Sequence, residues 1–163
     1  MKKIMCCEVK PKGQIARHKQ LFRHDPDNGI YGDCFRTVIA CLLDLMPEDV
    51  VHFCDGPDDG QFWPRVRAWL EPRGLAFIEV PFAGVHLPDV ESILEIGAHF
   101  SQGMHWLLTG KSRNGVNHIV ICRGTDILHD TSLDDSGIVG PGMDGNWWVG
   151  WLVRRLPCDE VRS

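Results

Sequence analysis

The stretch GDCFRTVIACLLDLM, residues 32–46, decides how this chain is read. Phe35, Val38, Ile39, Leu42, Leu43 and Met46 fall at i, i+3, i+4, i+7, i+8 and i+11, one continuous apolar stripe of helical period. Asp33 stands at the N-cap position and Pro47 stops the run. The stripe therefore predicts a helix whose first residue is Cys34. A cysteine in that place faces unpaired backbone N–H groups and the positive end of the helix dipole, a setting that favours a thiolate.

Working outward, DPDNG (residues 25–29) is a dense turn signal, and the polar, basic residues 1–25 read as an N-terminal arm. Beyond Pro47, PEDVVHF predicts a short second helix with acidic residues in its first turn. A third helix is expected over residues 61–70, stopped by Glu71-Pro72-Arg73-Gly74, and a fourth over 89–100. Strands are expected over 75–82, 105–109, 118–123, 126–129 and 147–156. KSRNG and RGTD supply hairpin turns between the middle ones. Helices first and a run of antiparallel strands afterwards is an α+β pattern, in one domain over residues 1–163.

Composition supports a packed domain. The 163 residues are 44% hydrophobic and 24% charged with six Trp, enough to bury one core. A net charge of -5, with both signs interspersed and no basic stripe, argues against a nucleic-acid partner. No run approaches the roughly 18 apolar residues of a membrane span, and no secretory apolar segment follows the N-terminal lysines. Seven scattered cysteines, including the adjacent Cys6 and Cys7, fit a reducing cytoplasmic setting; they lack the paired spacing of a zinc site, so no metal and no cofactor is expected.

Three residues carry candidate chemistry. His118 opens the strand HIVIC, and Asp130 closes the next one, adjacent to it in an antiparallel hairpin. Facing Cys34, His118 would be the general base of a thiol nucleophile, and Asp130 would fix its tautomer and orientation. Singly, each has an ordinary explanation: a small apolar helix residue, a structural histidine, a turn cap. Together, their order and their strand and helix contexts favour a catalytic set.

On these segments the chain resembles the papain-like cysteine peptidase superfamily, most of all the bacteriocin-leader-processing peptidases. Those proteins place a Gln six residues before the nucleophile, an Asp-Cys pair at a helix start, and a His-hydrophobic-hydrophobic run before an Asp-Pro turn. The matching residues are Asn28, Asp33-Cys34, His118-Ile119-Val120 and Asp130-Thr131. GDCFRTVIACLLDLMPEDVVHF, TGKSRNGVNHIVIC and LHDTS also resemble a family of small, largely uncharacterised bacteriophage proteins. The resemblance implies a papain-like fold, with the Cys34 helix packed on the sheet bearing His118 and Asp130. It further implies Cys34 as nucleophile, His118 as base, Asp130 as orienting residue and Asn28 as oxyanion donor, one methylene shorter than the family's Gln. The implied protein is a hydrolase of amide or isopeptide bonds acting on a protein or peptide in the host cytoplasm. Alternatives are a binding module that blocks a host factor, a deamidase and a cell-wall amidase.

Asp33, Arg113, Asn117 and Trp148 are candidate substrate contacts beside this set. Thr109-Gly110-Lys111-Ser112 is similar to the end of a phosphate-binding loop, but the glycine required five positions before Gly110 is His105. His129 is a weaker base candidate, since it alternates away from Asp130 along its strand. Trp147 and Trp151 read as core. The glycine-rich residues 136–146 are either a mobile flap or a plain surface loop.

Overall fold

The computed structural model describes residues 14–156. Cys6, Cys7, Cys158 and the first part of the expected arm lie outside the described residues. The three helices are α1 (Cys34–Leu43), α2 (Phe62–Leu70) and α3 (Val90–Ser101). The strands are β1 (Leu75–Ala83), β2 (His105–Lys111), β3 (Asn117–Arg123), β4 (Asp126–Asp130) and β5 (Asn146–Arg154). They form one sheet in the order β1-β5-β2-β3-β4, with every neighbouring pair antiparallel. The architecture is α+β.

Strand alternation divides the core into two layers. Leu107, Ile119 and Ile121 face α1 and α2, where they meet Phe35, Val38, Ile39, Val66 and Leu70. Trp106, Leu108, Val120, Cys122, Trp147 and Val149 face the other way, against Ile93 of α3. The central strand β3 is thus buried on both faces from His118 to Cys122. Gly97 of α3 lets the Trp106 indole lie against the helix, because a Cβ there would stand 2.2 Å from the ring.

Two expectations along the chain are corrected. The stripe beginning at Cys34 is helical only to Leu43: Asp44 turns left-handed (φ 56°), and its N–H and that of Leu45 both return to the Ala40 carbonyl. That double return closes the helix without help from Pro47. The segment expected as a second helix forms one 3-10 turn, Pro47–Asp49, and then runs extended from Val50. The extended path seats Val50 and Phe53 in the core at 2% and 1% exposure, which offsets the helical bonds forgone. Among the described residues, no helix is long and apolar enough to cross a membrane.

Candidate active site

The site forms where the N-terminus of α1 meets the start of β3. The hairpin tip between β2 and β3 is closed by Ser112, whose N–H donates to Val116 O (2.9 Å), with Gly115 at φ 80° supplying the left-handed turn. That fixes where β3 begins and so where His118 stands. Val120 lies opposite Asp130, making His118 and Asp130 diagonal neighbours on one face of the sheet. Their side chains meet: His118 Nε2 bonds Asp130 Oδ1 at 2.7 Å.

With Nε2 engaged, Nδ1 is the ring nitrogen left to face the Cys34 thiol, which lines the same two recesses and acts on the ring's titration. Burial pulls the His118 pKa down, but the bond to Asp130, and then the bond and charge of Cys34, outweigh it and push it up to about 9. For Asp130, burial opposes the charge. The bond from His118, the N–H groups of Ser132 (2.8 Å) and Gly137 (2.8 Å), and the imidazolium charge overcome it and hold the carboxyl well below the usual carboxylate range. Asp130 therefore both orients the histidine and caps the loop that follows β4.

Two recesses flank the Cys34–His118 pair. The larger, about 500 Å³, is walled by Phe62, Trp63 and Trp148, with Glu79 and Asn117 also in its lining. The smaller, about 290 Å³, is more polar and is lined by Gln20, His24, Ser112 and Ser132 among others. As the first residue of α1, Cys34 has a backbone N–H without an intrahelical acceptor.

The expected site residues fare differently. Cys34, His118 and Asp130 come together, and Asn117 and Trp148 reach the larger recess. Asn117 Oδ1 also accepts from Met143 N–H (2.8 Å), and Trp148 Nε1 donates to Asp144 (2.8 Å). Asn28 does not join them. It is exposed on the 3-10 turn Pro26–Asn28, where its amide donates to Asp25 (2.7 Å). The five-residue turn bulges away between the arm and α1, so sequence distance from Cys34 does not translate into proximity.

Asp33 is neither a side-chain cap nor an exposed contact. Its buried carboxylate accepts from the N–H groups of Leu21 (3.2 Å) and Phe22 (2.9 Å) and from Arg36 Nε (2.9 Å). Arg113 turns from the cleft to brace the loop after β4, donating to the carbonyls of Asp135 and Ser136. The glycine-rich segment is stitched down rather than a free flap: Lys111 N–H donates to Gly140 O, Val139 N–H to Lys111 O, and Ile138 is buried. His129 is committed elsewhere, with Nε2 on His18 O at 2.7 Å.

Gln20, Glu79 and Cys54 are site residues that sequence reasoning missed. Gln20 is brought in by the arm, whose N–H at that residue donates to Thr131 O (2.7 Å) while Asp33 holds the next two residues. Only a Gln fourteen positions before the cysteine signalled it, and spacing alone gives no reason to select it. Cys54 lines the larger recess; desolvation first, then the charge of Cys34, push its thiol up to about 11. Among the described residues, no group of three or more His, Cys, Asp or Glu is arranged to hold a metal ion. Comparison with family models, curated proteins and solved structures returned no significant match.

Proposed function

We propose that this protein is a cysteine hydrolase of papain-like type, cleaving an amide or isopeptide bond of a protein or peptide through a thioester. The observation that carries the reading is the Asp130–His118 hydrogen bond beside the Cys34 thiol at a helix N-terminus, with Cys34 and His118 lining the same two recesses. A buried His–Asp pair alone is a common structural device. One that ends on a helix-opening thiol in a cleft has the parts of a nucleophile, a base and its orienter.

The chemistry follows from those parts. The Cys34 thiolate attacks the carbonyl carbon, a C–S bond forms, and the oxygen takes the negative charge. The Cys34 N–H stabilises that oxyanion, and the Gln20 amide, which lines the smaller recess and already gives one N–H to Phe22 O (2.6 Å), is the side-chain donor assigned to join it with its second N–H. Collapse breaks the C–N bond as the His118 imidazolium gives its proton to the departing amine. Water then attacks the thioester, His118 takes its proton, and the acid is released with the thiol restored.

Alkylation tests the reading without a known substrate. At pH 6 an ordinary thiol, of pKa about 8.5, reacts slowly with iodoacetamide. Cys34 is expected to label selectively and rapidly there, and His118→Ala is expected to abolish the advantage. Labelling of Cys34 no faster than that of Cys6 or Cys158 would reject the enzyme and leave a binding module as the better account.

A further inference from the structure

Among the described residues, Glu79 is an acid without a partner in the wall of the larger recess. It follows Leu75 and Phe77 on the face of β1 that packs toward α1 and α2, and it lies opposite Gly150 of β5, which presents no side chain. Its side chain is half-buried and shares the recess with Cys34 and His118. Among the described residues, its carboxylate has neither a hydrogen bond nor an ion pair, unlike the other acids of the same wall. Asp59 is held by Arg65 and by Gln61 N–H, and Asp58 accepts from Gly60 N–H. Among the described residues, the guanidinium in this wall, Arg65, is spent on Asp59 and on Phe53 O. Burial first, and then the charge of Asp144, push the Glu79 carboxyl up to about 7, the direction expected of a carboxylate that lacks a cation.

A desolvated carboxylate with no partner is costly, and a bound cation removes that cost. The rest of the recess suits a cation on an apolar stem. Trp63 and Trp148 line it with indole surface against which a methylene chain can pack. An acidic or purely apolar group would leave the carboxylate repelled or unpaired.

We infer that the larger recess selects a substrate with a lysine or arginine side chain close to the scissile acyl bond, with Glu79 as the residue that determines the preference. The inference rests on the cysteine-hydrolase reading of the same site, and it specifies the substrate class that the reading leaves open.

The test uses three reagents that share one backbone and carry a cationic, a neutral and an anionic side chain: the Nα-bromoacetyl derivatives of lysine amide, norleucine amide and glutamate amide. The rate of Cys34 modification in the full chain is followed by mass spectrometry. The lysine reagent is expected to react at least about tenfold faster than the norleucine one, the ratio expected of one partly desolvated ion pair, with the glutamate reagent slowest. In Glu79→Gln the lysine-to-norleucine ratio should collapse to within about twofold, and in Glu79→Lys the order of the charged reagents should reverse. Because each protein is scored by a ratio, a general loss of reactivity does not imitate the effect. Equal rates for the three reagents in the native protein, or a lysine preference that survives Glu79→Gln, would overturn the inference while leaving a reactive Cys34 and the hydrolase reading intact. A Cys34 inert to iodoacetamide itself defeats the hydrolase reading instead.

Discussion

At the scale of single residues, the exchange of Asn28 for Gln20 has a consequence that separates two kinds of chemistry. Alkylation of a thiolate displaces a halide and develops no oxyanion, whereas acylation by an ester passes through one. A donor that serves the oxyanion therefore affects acylation specifically. Gln20→Ala is expected to lower the ratio of Cys34 acylation by p-nitrophenyl acetate to its alkylation by iodoacetamide by about 100-fold, the usual loss for one such donor. Asn28→Ala removes only an exposed bond to Asp25 and should leave that ratio within about twofold. Both rates come from nitrophenolate release and mass spectrometry, and an Asn28 effect larger than the Gln20 effect would reverse the assignment. At the same scale, Asp130→Asn tests orientation. It keeps the bulk of the side chain but removes the charge facing His118, so the pH-6 labelling advantage of Cys34 should shrink by at least about tenfold.

At the scale of elements, the site depends on how the arm of residues 14–25 is tied to α1. Asp33 is the knot: two backbone N–H groups of the arm and the Arg36 guanidinium converge on a carboxylate with no exposed surface. Arg36 also lies over the Phe22 ring at 5.6 Å. Removing one member of a buried pair leaves the other charge uncompensated, so Asp33→Ala is expected to cost about 3–5 kcal/mol in urea unfolding. It should also reduce acylation by freeing Gln20. A variant as stable as the native chain would show that the arm is not held this way. The same element explains what a reader of the sequence can and cannot see. The α1 start, the α3 cap at Asp89 and the β3–β4 hairpin are written in local signals: an apolar period, a side-chain acceptor for Ser92 N–H, and a glycine-bearing turn. Cys34, His118 and Asp130 are legible because each sits at the end of such an element. Asn28 misleads, and Gln20 and Glu79 stay hidden, because their positions depend on the path of an irregular arm and on cross-strand register. The segment after Pro47 fails for a related reason: acidic residues following a proline favour a helix start, but core space for Val50 and Phe53 decides the outcome.

At the scale of the whole molecule, the His118–Asp130 pair is also part of what holds the fold, and stability should report its titration. In the unfolded chain, His118 returns to an ordinary pKa near 6.5, against about 9 when folded. The folded state then binds the proton more tightly, so the stabilisation is complete below about pH 6.5 and is lost as the pH rises through about 9. Asp130 has the opposite sign. Its carboxyl lies below the ordinary range in the fold, so its contribution is present above about pH 4 and is lost on further acidification, through its folded value. The pair therefore stabilises most between about pH 4 and 6.5, close to the sequence pI of about 5.9, where low net charge adds little repulsion. Between pH 6.5 and 9 the melting temperature should fall by roughly 5–10 °C, from a loss of about 2–3 kcal/mol in a domain of this size. Glu79, pushed up to about 7, titrates at the lower end of that interval with the same sign, and ordinary thiols titrate near its upper end, so the share of the pair is read from a variant that removes it. His118→Gln keeps a polar side chain of similar reach but cannot titrate. Scanning calorimetry of this variant should show a lower melting temperature at pH 6 and a flatter profile up to pH 9. An equally steep fall in the variant would assign the pH dependence to other groups and remove the ion pair from the forces that hold β3 to β4.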